Sequence, residues 1–251
     1  MGVKVRERKG LYRYLTVGLL IILFHISLAI PTIAEQMKDA DAAYLRGDYA
    51  TAFDLLKPLA EQGNPLAQHN LGLMYEEGRG VPQDYAEAMK WYRRAAEQGI
   101  SRAQHNLGLM YDLGLGVPQD YAEAMKWYRR VAEQGISQAQ FNLGLMYDLG
   151  RGVPQDSAEA MKWYRRAAEQ GLASAQHNLG AMYERGEGVP QDYVMAHMWY
   201  NLAASRYSAS EEEKREKALK NRDLVASKMA PAQVAEAQRL AREWKPKKEV
   251  R

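Results

Sequence analysis

The chain has 251 residues, no cysteine and a formal net charge of +3. Without a thiol it can build no disulfide framework, no thiolate metal site and no cysteine nucleophile. Residues 1–34 hold Lys4, Arg6, Arg8, Lys9 and Arg13 against Glu7 alone, so the rest of the chain stands close to −1. A near-neutral body argues against broad electrostatic binding, and nucleic acid is not expected as a partner.

The first predicted element is the basic front followed by an uncharged stretch over residues 14–34, centred on Leu19-Leu20-Ile21-Ile22-Leu23-Phe24. Basic, then apolar, then small residues is the order of a secretory signal, and both Thr32-Ile33-Ala34 and Ser27-Leu28-Ala29 offer cleavage sites. The alternative is an uncleaved tether in the inner membrane, since about 20 uncharged residues can span a bilayer; His25 and Pro31 weigh against it. The expected location is periplasmic or secreted, or anchored in the inner membrane and facing the periplasm.

Residues 35–63 read as a shortened helix pair, opening Ala42-Ala43-Tyr44-Leu45-Arg46-Gly47-Asp48-Tyr49 and ending at Gly63. From residue 64 to 207 a 36-residue unit repeats four times. Its most regular string is Gln68-His69-Asn70-Leu71-Gly72-Leu73-Met74-Tyr75, recurring from Gln104, Gln140 and Gln176. A period of this length signals stacked supersecondary units, each burying its apolar face on its neighbours.

Within each unit two helices are predicted. Ala67, Leu71, Met74 and Tyr75 share one face of the first; Ala88, Trp91, Tyr92, Ala95 and Ala96 share one face of the second. Gly78-Arg79-Gly80-Val81-Pro82 breaks the first helix. Asp84 with Glu87, Asp120 with Glu123 and Asp156 with Glu159 have the spacing of a capping box; after Asp192 a methionine, Met195, interrupts it. Gly99, Gly135 and Gly171 follow the second helices, and Ser101 and Ser137 stand where N-caps are wanted. Trp91, Trp127, Trp163 and Trp199, with Tyr75, Tyr111, Tyr147 and Tyr183, recur once per unit and read as core. Residues 208–244 read as capping helices, one starting at Ser210 and one over 232–244 after Ala230-Pro231. A basic tail, expected to be disordered, fills 245–251.

The string Leu71-Gly72-Leu73-Met74-Tyr75-x-x-Gly78-x-Gly80-Val81-x-x-Asp84-x-x-x-Ala88-x-x-Trp91-Tyr92-x-x-Ala95-Ala96-x-x-Gly99 closely resembles the Sel1-like repeat, a relative of the tetratricopeptide repeat with a longer inter-helix loop. The resemblance implies an all-α fold, an α/α solenoid of stacked antiparallel helix pairs. It also implies the work of a non-enzymatic adaptor or scaffold that holds a protein or peptide. Some bacterial secreted relatives are cysteine-rich and carry penicillin-binding or β-lactamase-like labels, which leaves a cell-wall-related hydrolase as the alternative. This chain lacks those cysteines and contains no Ser-x-x-Lys nucleophile motif.

Turning about 100° per residue from the buried Leu71 sends His69, Leu73, Glu76 and Glu77 to the opposite side of the first helix. The equivalent sets are His105, Leu109, Asp112 and Leu113; Phe141, Leu145, Asp148 and Leu149; and His177, Ala181, Glu184 and Arg185. If the first helices line a concave groove, as in tetratricopeptide repeats, these positions form ribs suited to a peptide with apolar and basic residues. The leucines could equally pack against the adjacent unit. Asn70, Asn106, Asn142 and Asn178 are a second set, either binding a peptide backbone or bonding between helices. Phe141 for histidine and Ser157 for tyrosine set the third full unit apart.

No metal, cofactor or catalytic site is expected. Histidines in successive units are about a helix diameter apart, roughly 10 Å, too far to share one zinc ion. Gly78-x-Gly80 follows a helix and lacks the Gly-Lys-Ser/Thr ending of a phosphate loop. The recurring aspartates are explained as caps.

Overall fold

The computed structural model describes residues 32–247. The basic–apolar leader up to residue 31 and the end of the tail from 248 lie outside the described residues. Thr32 caps the first described helix through a reciprocal pair with Glu35.

Among the described residues there are twelve α-helices, a 3₁₀ turn and no strand. We number them α1 (Ile33–Leu45), α2 (Tyr49–Glu61), α3 (Pro65–Glu77), α4 (Tyr85–Glu97), α5 (Ser101–Leu113), α6 (Tyr121–Glu133), α7 (Ser137–Leu149), α8 (Ser157–Glu169), α9 (Ala173–Arg185), α10 (Tyr193–Arg206), α11 (Glu212–Ala226) and α12 (Pro231–Glu243). The chain divides into two compact units, one up to Gln83 and one from Asp84. In each, consecutive helices pack on one another, the arrangement of an α/α solenoid, up to α11; α12 then packs back on α10.

In the first unit α1 packs on α2, and α2 on α3. Asp48 caps α2, and Asn64 caps α3 ahead of Pro65, whose missing N–H costs nothing at the first helical position. The Tyr44 hydroxyl donates to Glu77 (2.8 Å) and accepts from Arg79 (2.6 Å), tying α1 to the end of α3 and its loop.

The second unit shows the repeat physics most clearly. Asp84, Asp120, Asp156 and Asp192 each accept a backbone N–H three residues on, including that of Met195. Only half of the expected capping box forms, because Glu87, Glu123 and Glu159 turn to Lys90, Lys126 and Lys162 instead. First helices end on left-handed glycines such as Gly114 and Gly150. The second loop glycine is needed for space, since a Cβ on Gly116 would stand 2.6 Å from the Tyr85 carbonyl group. The contact is to backbone, which is why Ser157 can replace tyrosine at the equivalent place beside Gly188.

The core differs from the expectation in one respect. Tyr92, Tyr128, Tyr164 and Tyr200 are fully buried, whereas Trp127 and Trp163 are only half-buried and Tyr111 and Tyr147 likewise. The tryptophans carry arginines on their outer faces, Arg130 over Trp127 at 5.0 Å and Arg166 over Trp163 at 4.5 Å. The hydroxyls of Tyr111 and Tyr147 need a polar partner and accept from Arg93 and Arg129. Gly108 and Gly144 admit the buried rings: a Cβ at either would lie 2.6 Å from Tyr128 or Tyr164.

Three end details also depart from expectation. Ser101 and Ser137 are the first helical residues, the caps being Ile100 and Ile136 with no side-chain bond. Ser208, in place of Ser210, opens the C-terminal segment through a reciprocal pair with Glu211 in a 3₁₀ turn. Within the tail, Lys247 is docked: its N–H reaches the Glu169 carbonyl (2.8 Å) and its ammonium the Glu169 carboxylate (2.6 Å).

Candidate interaction surface

The first-helix side of the second unit is built from a repeated group of four residues. In α5 the His105 ring lies 5.7 Å from the buried Tyr128 ring, and Asp112 accepts the Tyr128 hydroxyl at 3.5 Å. In α7 Phe141 takes the place of the histidine against Tyr164, whose hydroxyl donates to Asp148 at 3.1 Å. In α9 His177 meets Tyr200 at 5.2 Å, and Tyr200 donates to Glu184 at 2.9 Å. Asparagines link successive repeats: the Asn142 amide contacts His105 Nε2 at 3.1 Å and interacts with the Tyr128 hydroxyl, as Asn178 does with Tyr164.

The electrostatics follow from burial. Desolvation, with the facing carboxylate behind it, raises the hydroxyls of Tyr128 and Tyr164 above the ordinary phenol range. Burial raises Asp112, opposed by Arg151 and by the Tyr128 bond. His105 is lowered by burial, opposed by Asn106. His177 is lowered to about 4 by burial and then by Lys217, so it is neutral near pH 7.

The positions singled out from the sequence therefore fall into two kinds. His105, Asn142, Asn178, Asp112, Asp148 and Glu184 have intramolecular partners. Leu73, Leu109, Leu145 and Ala181 are half-buried, Leu145 and Ala181 packing against the α8–α10 core, while Leu113 and Leu149 are exposed. In the first unit His69 Nδ1 meets Asn70 at 3.2 Å, Glu76 is half-buried, and Asn70 and Leu73 line a hollow of about 300 Å³ with Tyr44 and Leu56. In the second unit Asp148, His177, Asn178 and Glu184 converge on a cleft of about 450 Å³.

That cleft brings in residues outside the repeat. Lys217 and Asn221 of α11 close one side, and Asn221 interacts with the Tyr200 hydroxyl as the repeat asparagines do one period earlier. Lys228 pairs with Glu184 at 3.2 Å. The capping helix thus supplies the contacts that the first helix of a further repeat would make, and no periodicity could reveal it. A second missed set is Gln68, Gln104, Gln140 and Gln176, buried polar residues that each donate to a carbonyl near the end of the preceding helix, at 3.0–3.1 Å. Their recurrence inside an apolar stripe was the available signal.

Among the described residues no cluster of three or more histidine, aspartate or glutamate side chains is placed to hold a metal ion. Among them, too, no helix is long and apolar enough to cross a membrane.

The Sel1 repeat profile matches residues 40–64, 65–100, 101–136, 137–172 and 173–208, so the short first pair counts as a fifth copy. A crystal structure of a Sel1 repeat protein from Oxalobacter formigenes is 32% identical, with a TM-score of 0.64 over 78% of this chain and 86% of that one. The structure of c5321, described as a protective antigen of uropathogenic Escherichia coli with the same type of repeat fold, is 31% identical with a TM-score of 0.55. That match covers 84% of this chain and 53% of the antigen. No curated protein sequence matches. Sel1 repeat proteins are generally protein-interaction scaffolds and typically non-enzymatic. Five matched copies and the shared architecture establish that the chain belongs to the Sel1 repeat family.

Proposed function

We propose that the protein is an exported interaction scaffold that holds an extended peptide or protein segment along its first-helix face. The observation that supports this reading is the row of half-buried Leu109 and Leu145 flanked by exposed Leu113 and Leu149. Apolar side chains left at a partly wet surface beside carboxylates suit a partner with apolar and basic residues. The polar groups of the same face would act mainly by holding this surface rigid, because Tyr128 is bonded to Asp112 and Asn142 reaches both Tyr128 and His105. Export rests on the basic–apolar–small order of residues 1–34.

Peptides selected on the immobilised chain from a displayed random library should be enriched in apolar and basic residues. Their affinity should fall at least about tenfold in a Leu109→Glu, Leu145→Glu variant whose circular dichroism is unchanged. Equal binding by the variant would remove the first-helix face from consideration. Appearance of the chain in the periplasmic fraction, with an N-terminus near Glu35, would test the export reading; an intact N-terminus in the membrane fraction would replace it with the tether.

A further inference from the structure

The second-helix side of the unit from Asp84 carries a charge pattern that the first-helix reading leaves unused. Arg93, Arg129 and Arg165 donate to the hydroxyls of Tyr111, Tyr147 and Tyr183 at 2.6–2.7 Å. Arg94, Arg130 and Arg166 lie 4.5–5.0 Å from the ring centres of Trp91, Trp127 and Trp163. All six are exposed, and among the described residues none of them forms an ion pair, because each partner is neutral. An aromatic partner fixes a guanidinium in place while leaving its charge and its remaining donors available. The neighbouring Lys90, Lys126 and Lys162 differ, each being paired with a glutamate one turn earlier.

These arginines border a hollow that recurs with the repeat. One, of about 480 Å³, is floored by Met89 and walled by Lys90, Arg93 and Arg94, with the Gly116 and Val117 loop of the following repeat on its far side. Two periods later a hollow of about 380 Å³ has Met161, Lys162, Arg165, Arg166 and Gly188 in the same places. We propose that this second-helix face is a docking surface for an acidic polypeptide segment, one carboxylate entering each arginine-walled hollow. Charge complementarity carries the choice, and the glutamates narrow it. Glu97 lines the first hollow and Glu169 the second, while Glu87 and Glu159 sit on their lysines. A phosphate backbone with a charge every ~1.7 Å, or a continuous anionic bilayer, would press charge against those carboxylates. A chain with acidic side chains spaced to the repeat, about 10 Å apart, sets one carboxylate per hollow against two guanidiniums and a single glutamate, and lays no further charge on that glutamate.

The test uses the full chain and a fluorescein-labelled peptide with one glutamate in every three residues, about 10 Å apart when extended, followed by anisotropy at low and at physiological salt. Arg93, Arg94, Arg129, Arg130, Arg165 and Arg166 are replaced together by glutamine. A control variant replaces an equal number of cations on the capping helices, Lys214, Arg215, Lys220, Arg222, Arg239 and Arg242. The expected result is a loss of at least about tenfold in affinity for the ladder variant and less than about threefold for the control. Should the six-fold variant fail to fold, the Arg94→Gln, Arg130→Gln, Arg166→Gln triple leaves the tyrosine bonds intact and should still lose most of the binding. Equal losses in ladder and control variants would reduce the effect to net charge and overturn the proposal. So would ladder-dependent binding to phosphatidylglycerol vesicles or duplex DNA that is tighter than to the spaced-glutamate peptide.

Discussion

The two sides of the unit from Asp84 are built from the same 36-residue period and use their polar groups in opposite ways. On the first-helix side, tyrosine bonds carboxylate in every repeat, asparagine reaches back to the preceding one, and these groups face inward. On the second-helix side the arginines lie outside, held by aromatic groups that neutralise none of their charge. One period can therefore build a structural seam and a charged surface on the same pair of helices. A polar residue's recurrence says that it matters, while its partner says to which end.

If the inner set is structural and the outer one is not, truncation should separate them by several kcal/mol. Tyr164 is fully buried among α7 and α8 and bonded at its tip. Tyr164→Ala should lower unfolding stability by about 3–5 kcal/mol, read from the urea midpoint. Trp163→Ala, half-exposed under Arg166, should cost about 1–2 kcal/mol, the transfer term of a partly buried ring. Equal costs would end the distinction between the two sides.

The second probe enters the seam from the other side of the contact. In an open helix Gly→Ala stabilises by up to ~1 kcal/mol. At Gly144 the added methyl would lie 2.6 Å from the Tyr164 ring, and the sign should reverse to a loss of about 1–3 kcal/mol. A stabilised Gly144→Ala variant would show that the ring is free to move and that the seam is loosely packed.

The buried glutamines sharpen the comparison between seam and surface. Gln140 is almost wholly buried and donates to the Ala132 carbonyl at 3.1 Å. Gln140→Ala leaves that carbonyl without its side-chain donor and should cost about 1–3 kcal/mol. Exposed Gln138, two residues earlier on the same helix, should cost within about 0.5 kcal/mol when changed in the same way. Matching urea midpoints for the two variants would show that Gln140 contributes no more than a surface residue.

What the sequence disclosed and withheld follows the same divide. Helix ends were legible because their chemistry is local: Asp120 needs only the next turn, and Gly114 only its own φ of +69°. The buried stripe was legible from spacing, but the ranking within it was not. Trp127 and Tyr128 are adjacent, and only the packing of α5 against α6 decides that the tyrosine goes to the centre and the tryptophan to the margin. Nor does the period show that Asn142 and Asp112 turn to neighbours in the molecule, since a groove residue and a seam residue recur alike. Asn221 was beyond reach for a third reason: it reproduces a repeat contact from a helix whose sequence does not repeat.

The smallest effect tests the seam through a proton. His177 packs on Tyr200 with Lys217 nearby on α11 and Glu184 on its own helix, and burial followed by Lys217 lowers it from 6.5 to about 4. A lowered histidine means that the unfolded chain binds its proton first. Above about pH 7 the ring is neutral in both states and contributes no pH dependence. As pH falls from 6.5 to about 4 the unfolded chain gains a proton that the fold does not, and stability declines until the folded ring also titrates. Phe141 already occupies the equivalent place against Tyr164, so His177→Phe should fold normally and remove this component. Discounted for the solvent that reaches a half-buried ring, the difference is about 1 kcal/mol. The variant's melting temperature should then fall about 2–4 °C less than the wild type's between the neutral and acidic ends of that window. Carboxylates titrate in both proteins and cancel in the comparison. Parallel melting curves across the range would mean that the ring stays open to water in the fold, and that this part of the seam is as wet as the surface opposite.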